Sequence, residues 1–271
     1  MDLCEKISKL LSNVKKQKPL VHHITNYVTV NDCANIVLAI GASPVMADDI
    51  GEVEEMTAIS GALVLNIGTL NERTVKSMIA SGKKANELGI PVIFDPVGAG
   101  ATSMRTEVAE RIIREIKLSV IRGNMSEIKV VAGEEANTKG VDSMDGIDGG
   151  EQLAIGLAQR LNCVVAITGE KDIISDGKRV CIVENGHEMM SRVTGTGCMC
   201  TSVIASYAGA CRDFYLSAIA GILTMGLAGE KAYESLNPKE GTGTFRARIF
   251  DYISNLSAED IVKGAKVHEK A

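Results

Sequence analysis

Ala62-Leu63-Val64-Leu65-Asn66, a run from Asn71 to Leu88, and then Val92-Ile93-Phe94-Asp95 make up the stretch that decides the fold. The first and last segments are short and apolar, which suits strands buried on both faces. The run between them reads as a long helix stopped by Gly89 and Pro91. A strand, a helix and a second strand at this spacing imply a parallel sheet covered on both faces.

The same unit continues on both sides of that stretch. Downstream it gives a helix over Arg105–Lys117 and a strand over Ser119–Arg122, then a helix entered through Gly123-Asn124-Met125-Ser126-Glu127. Glu151–Leu161 reads as helix and Cys163–Ile167 as strand, with polar, acidic Asn137–Gly150 between the units as a loop. Upstream, Asp2–Lys16 places Leu3, Ile7, Leu10, Leu11 and Val14 on one helical face. Leu20–Ile24 is extended, Asn31–Ile40 is a helix closed by Gly41, Ser43–Ala47 is a strand, and Glu52–Ile59 is a helix with an acidic first turn. Residues 172–175 and 179–184 turn through Asp176-Gly177-Lys178 as a hairpin. The remainder is helical: Cys198–Ala210, Leu216–Leu236 and Thr244–Leu256. No linker and no fixed-period repeat interrupts the chain, so one α/β domain over residues 1–271 is expected.

Composition narrows the class. Hydrophobic residues make up 45% while Trp is absent and aromatics reach only 3%, so the core must be aliphatic. A net charge of −5 argues against nucleic acid or an anionic membrane as partner. Leu216–Gly229 is apolar but too short to span a bilayer comfortably, and reads as a buried helix. The lysine-rich N-terminus has no continuous apolar run of the kind a secretory signal needs. Seven cysteines without zinc-like spacing fit reduced thiols in the cytoplasm.

Ligands of open α/β sheets sit beyond the carboxyl ends of the strands. Here those exits are Asn66-Ile67-Gly68-Thr69, Asp95-Pro96-Val97-Gly98-Ala99-Gly100, Arg122-Gly123-Asn124 and Thr168-Gly169-Glu170, each polar or glycine-rich after an apolar strand. A fifth element faces them in kind: Val193-Thr194-Gly195-Thr196-Gly197-Cys198, a glycine turn that opens a helix. Free amides and the helix dipole there favour an anion, although such a turn also occurs as plain chain reversal. It is neither a Walker A loop nor a dinucleotide fingerprint. Asp95 ends its strand as either a turn carboxylate or a cation ligand. Asn124 and Glu127, three apart, are either a capping box or a means of placing Mg²⁺ through water.

Several other groups carry less. His22 and His23, adjacent in an extended segment, point to opposite faces and do not make a metal site. Cys198 and Cys200 do not face each other on a helix. Asp142, Asp145 and Asp148 lack the spacing of a calcium loop. Met46, Met125, Met189, Met190 and Met225 are most simply core fillers.

Taken in order, His22-His23-Ile24-Thr25-Asn26, Pro44-Val45-Met46-Ala47, the Asp95–Gly100 exit, Arg122-Gly123-Asn124-x-Ser126-Glu127, Thr168-Gly169 and Gly195-Thr196-Gly197-Cys198 resemble the hydroxyethylthiazole kinases of the ribokinase-like superfamily. The resemblance covers nearly the whole chain. It implies a three-layer fold with a central, mostly parallel sheet, and ATP-dependent phosphorylation of the hydroxyl of hydroxyethylthiazole, a salvage step toward thiamine. It further implies a homotrimer with thiazole pockets shared between subunits. On matching positions, Asn26, Met46, Gly68 and Gly195 would surround the thiazole, and Arg122, Asn124 and Thr168 the nucleotide. Asp95 and Glu127 would place Mg²⁺, and Asp95, Gly195, Gly197 and Cys198 would line the reaction centre. Sugar and vitamin kinases of the wider superfamily usually carry Asp where Cys198 stands, as do its pyridoxal and hydroxymethylpyrimidine kinases and its hydrate dehydratases. The thiazole branch typically has this Cys. It would act either as a thiolate base at a helix N-terminus or as a positioning residue, since a loose transition state needs little deprotonation before attack.

Overall fold

The computed structural model describes residues 2–133 and 147–270. Its strands are β1 (Leu20–Ile24), β2 (Ser43–Val45), β3 (Ala62–Asn66), β4 (Val92–Asp95), β5 (Val120–Asn124), β6 (Val164–Thr168), β7 (Asp172–Ser175), β8 (Val180–Val183) and β9 (Val267–Lys270). They form one sheet in the order β2-β1-β3-β4-β5-β6-β7-β8-β9. From β2 to β6 all neighbours are parallel; β6 to β9 pair antiparallel. The expected α/β class and mostly parallel sheet are therefore observed.

Helices cover both faces: α1 (Leu3–Gln17), α2 (Val30–Ile40), α3 (Val53–Ala58), α4 (Glu72–Leu88), α5 (Ser103–Glu115), α6 (Met125–Ala132), α7 (Ile147–Leu161), α8 (Thr196–Ala210), α9 (Phe214–Glu234), α10 (Thr242–Asn255) and α11 (Ala258–Gly264). Strand alternation feeds two cores. Val64 and Ile93 join the residues of α1, α2, α8, α9 and α10 on one face. Leu63, Leu65 and Phe94 join those of α4, α5 and α7 on the other. All five residues of β3 and all four of β4 are buried, which is why neither strand alternates in sequence. Leu216–Gly229 lies inside α9, and its residues are buried almost throughout. No helix among the described residues is long and apolar enough to cross a membrane.

The differences from the expected elements have identifiable causes. Arg122-Gly123-Asn124 is not an exit loop. It continues β5, pairing Arg122 with Ala166, Gly123 with Ile167 and Asn124 with Thr168, and passes directly into α6. The α7 helix begins at Ile147, so the end of the expected 137–150 loop is helical; residues 137–146, with Asp142 and Asp145, lie outside the described residues. β9 had no sequence signal, because Val267-His268-Glu269-Lys270 is polar and gains its strand identity only by pairing with β8. α11 and a short 3-10 helix over Glu188–Arg192 were likewise not anticipated.

Candidate functional site

β3 and β4 end in register, Asn66 opposite Asp95, and this pairing fixes the centre of the site. Both side chains are buried, at 1% and 0% exposure, so their polar atoms need partners within the protein. Asn66 Oδ1 accepts the Gly68 amide at 2.9 Å, which turns Asn66 Nδ2 the other way. Asn66 Nδ2 then donates to Asp95 Oδ2 at 2.9 Å and to Cys198 Sγ at 3.3 Å. Asn26, just past the end of β1, donates through Nδ2 to Asn66 Oδ1 at 3.0 Å and to Cys198 Sγ at 3.3 Å. Its Oδ1 accepts from Thr29 N and Thr29 Oγ1, both at 3.0 Å. Thr201, one turn beyond Cys198 on α8, donates to Asp95 Oδ2 at 2.9 Å. Thr29, Asn26, Asn66 and Asp95 thus form one oriented chain of hydrogen bonds, with the Cys198 sulfur receiving two of its N–H groups.

The glycine turn meets this chain from the helical side. Gly195 caps α8 at φ 88°, a left-handed conformation that favours glycine, and an added Cβ would stand 2.5 Å from Thr29 Cγ2. A Cβ on Gly197 would stand 2.5 Å from Arg122 Nη1, so the guanidinium packs directly on the start of α8. The first amides of an α-helix have no intrahelical acceptor. Here that leaves the N–H groups of Thr196, Gly197 and Cys198 beside the partly buried Arg122 cation.

Arg122 donates to Thr168 Oγ1 at 2.6 Å across the β5–β6 pair. It faces Asp95 Oδ1 at 3.9 Å, an ion pair too long to be a hydrogen bond. Asp95 Oδ1 and Arg122 Nε are both buried without a hydrogen-bond partner. Burial opposes the Arg122 charge, but the Asp95 carboxylate leads the groups that outweigh it, and the guanidinium pKa is raised. Burial pushes the Asp95 carboxyl up to about 6, against the pull of Arg122. At neutral pH it is therefore mostly ionised but weakly held as an anion. The Cys198 thiol is also raised, first by burial and then by the Asp95 charge.

Glu127 accepts the Gly98 amide on Oε1 at 2.8 Å and the Asn124 amide on Oε2 at 2.9 Å. Asn124 Oδ1 accepts the Glu127 amide in return, completing a capping box on α6. The structural role of this pair is real, and it holds Glu127 against the Asp95 exit, where its charge acts on Asp95. Gly68 is anchored through its carbonyl to Arg105 Nη2 at 2.7 Å. Met46 lies one residue past β2, partly exposed, at the outer edge of the sheet rather than in the core. His22 and His23 are indeed committed elsewhere. His22 bonds Thr57 Oγ1 and Ala47 O, and His23 bonds Ser202 Oγ and Val21 O.

Arg122, Asn124, Thr168, Gly169, Thr196 and Gly197 are among the residues lining a cleft of about 810 Å³. Asp172, whose carboxyl is pushed up to about 7 by burial, lies in the same cleft and accepts the Gly169 amide. The sequence reading did not select Asn66, Thr29, Thr201 or Asp172 as site residues. Asn66 alone had a local signal, a polar residue closing an apolar strand as Asp95 does.

Comparison with known proteins places the chain in a family and a fold. The pattern that defines the hydroxyethylthiazole kinase family matches residues 11–259. The chain is 56% identical over 270 residues to a hydroxyethylthiazole kinase from Alkaliphilus oremlandii, covering 99% of this chain and 100% of that one. Its fold is similar to that of a hydroxyethylthiazole kinase from Pyrococcus horikoshii, with TM-score 0.89, 39% identity and coverage of 98% and 99%. A pyridoxal kinase from Staphylococcus aureus in complex with AMP-PCP shares the fold alone, at TM-score 0.66 and 13% identity, covering 93% of this chain and 99% of that one.

Proposed function

The chain belongs to the hydroxyethylthiazole kinase family, and from that membership we propose how its residues divide the work of moving a phosphoryl group. The reaction is ATP-dependent phosphorylation of the hydroxyl of hydroxyethylthiazole, in the salvage of a thiamine precursor. The observation that carries the assignment of residues is the joining of Asn26, Asn66, Asp95 and Cys198 at the start of α8, directly beside Arg122. It supports an alcohol on the Asn26–Cys198 side and phosphates on the Arg122–Thr168 side.

Phosphoryl transfer through a loose transition state asks for positioning and charge neutralisation more than for covalent chemistry. The amides of Thr196, Gly197 and Cys198 and the Arg122 guanidinium neutralise the transferring group. Thr168 and Asn124 hold the remaining phosphates from the β5–β6 ends. Asn26, Met46, Gly68 and Gly195 surround the thiazole, a small and largely apolar ligand that needs few polar anchors. The alcohol oxygen bonds to the γ-phosphorus as the bond from that phosphorus to the bridging oxygen breaks, giving ADP. The alcohol proton leaves late, to a phosphate oxygen or to solvent. Cys198, held as a thiol, positions the hydroxyl through its own S–H while its sulfur is fixed by Asn26 and Asn66.

The residues fit a magnesium ion. Asp95 Oδ1 is a buried anion oxygen without a hydrogen-bond partner. Mg²⁺ keeps several water or phosphate ligands, so few protein carboxylates are needed to hold it. Asp95 and Glu127 would hold Mg²⁺, which when bound neutralises phosphate charge. We further propose one domain over residues 1–271, a cytoplasmic location, supported by seven free cysteines, and a homotrimer that covers Tyr27 and Val28. These two residues follow Asn26 directly and are 79% and 58% exposed.

The test is transfer from γ-labelled ATP to a panel of alcohols, with Mg²⁺ or with a chelator, alongside sedimentation. Label on the thiazole alcohol alone, lost with the chelator, and a mass three times that of the chain are expected. Transfer to pyridoxal or hydroxymethylpyrimidine instead would overturn the substrate assignment.

A further inference from the structure

The nucleotide cleft also holds, along α9, an arrangement that phosphate binding does not use. Residues 185–190 lie along α9, and the contacts follow one face of that helix. A Cβ on Gly226 would stand 2.6 Å from Asn185 O, and a Cβ on Gly229 would stand 2.4 Å from Met190 Sδ. Seven residues after Gly226 on the same helix, the Tyr233 ring stacks on His187 with centroids 3.5 Å apart and planes at 18°. Small residues at 226 and 229 thus admit the segment close to α9, and Tyr233 receives the imidazole.

His187 lines the cleft and Tyr233 is not among its lining residues. Tyr233 covers one face of the imidazole, which leaves the other face for a ligand in the cleft. Nδ1 accepts the Met189 amide at 3.1 Å, which fixes the plane of the ring and caps the 3-10 helix. Ile222 and Met225 of α9 supply apolar lining to the same cleft, which Arg122 and Thr168 also line. A planar ring held rigidly by a second ring, with apolar side chains nearby, is a surface for an aromatic base.

We infer that His187, backed by Tyr233, is the stacking platform for the purine base of the nucleotide. The inference rests on the proposal that ATP occupies this cleft with its phosphates at Arg122. His187 contributes to nucleotide affinity through its ring, and its capping bond to Met189 serves only to hold that ring.

Two substitutions separate the ring from the cap. His187→Asn keeps a capping oxygen and removes the ring; His187→Phe keeps a ring and removes the capping nitrogen. ATP and inorganic tripolyphosphate, which has no base, are titrated calorimetrically into each folded variant, with melting curves as the check on folding. His187→Asn is expected to raise Kd for ATP about tenfold and leave tripolyphosphate binding unchanged, while His187→Phe restores most of the ATP affinity. Tyr233→Ala is expected to weaken ATP, not tripolyphosphate, by a smaller factor. Retained ATP affinity in His187→Asn, or a loss in His187→Phe equal to that in His187→Asn, overturns the stacking role. Failure of the unmodified protein to bind ATP overturns the nucleotide reading itself, and the stack with it.

Discussion

Replacing Cys198 separates its two conceivable roles. Its sulfur accepts amide protons from Asn26 and Asn66, each at 3.3 Å, and burial followed by the Asp95 charge raises its pKa above the ordinary 9.0. A thiol raised in this way is held in its neutral form at neutral pH, which works against any mechanism that needs the thiolate. Cys198→Ala deletes two weak N–H···S contacts worth about 1 kcal/mol together, or about fivefold in kcat. Loss of a general base would cost about 10² to 10⁴. In Cys198→Asp the same two amides would hold a carboxylate by charge-assisted bonds, so kcat is expected to be kept or raised. The assay is steady-state kcat from about pH 6 to about pH 9.5 for the three proteins, with both substrates saturating. A hundredfold loss in Cys198→Ala, with an unmodified enzyme whose rate climbs tenfold per pH unit toward 9, would refute the positioning role. So would a folded but inactive Cys198→Asp enzyme.

Asp95→Ala is expected to lose far more activity than any Cys198 variant, on the order of a hundredfold or more, because it removes the buried anion that faces Arg122; equal kcat values for Asp95→Ala and Cys198→Ala would contradict this. Asn66→Ala removes four hydrogen bonds, one of them to the Asp95 carboxylate, and should lower unfolding free energy in urea by about 4 kcal/mol together with kcat. Gly195→Ala puts a Cβ at φ 88° and 2.5 Å from Thr29 Cγ2, costing about 2 to 4 kcal/mol and lowering Tm by about 5 to 10 °C. His23 is held near a pKa of about 4 by burial, below the ordinary 6.5. Between those values the unfolded chain binds the extra proton, so stability is intact above about pH 6.5 and falls by about 3 kcal/mol as pH drops to 4. A His23→Gln protein should show a correspondingly flatter pH dependence of unfolding over that window.

The sequence alone determined the order of strands and helices from α1 to α10, because apolar runs, helical spacing and stops such as Gly89 and Pro91 act over neighbouring residues. It also located the strand exits, since an apolar run that ends in Asp95 or Thr168 marks where a buried segment reaches the rim. The glycine turn before α8 and the Asn124–Glu127 pair were legible for the same reason: each is a local device, and the capping box proved to be both structural and part of the rim.

Tertiary structure decided what those residues face. Asn66 became central only because β3 and β4 end in register, and Cys198 meets Asn26 across 172 residues of chain. Strand β9 exists because β8 offers its edge, not because Val267–Lys270 looks extended. The strand assignment of Arg122-Gly123-Asn124 follows from pairing with β6. His187 and Tyr233 carry no common pattern in sequence and meet only where α9 passes the Asn185–Met190 segment. Hydrogen bonds and stacked rings between distant segments depend on register and close approach, and those are set when the layers pack, after local preference has chosen the elements.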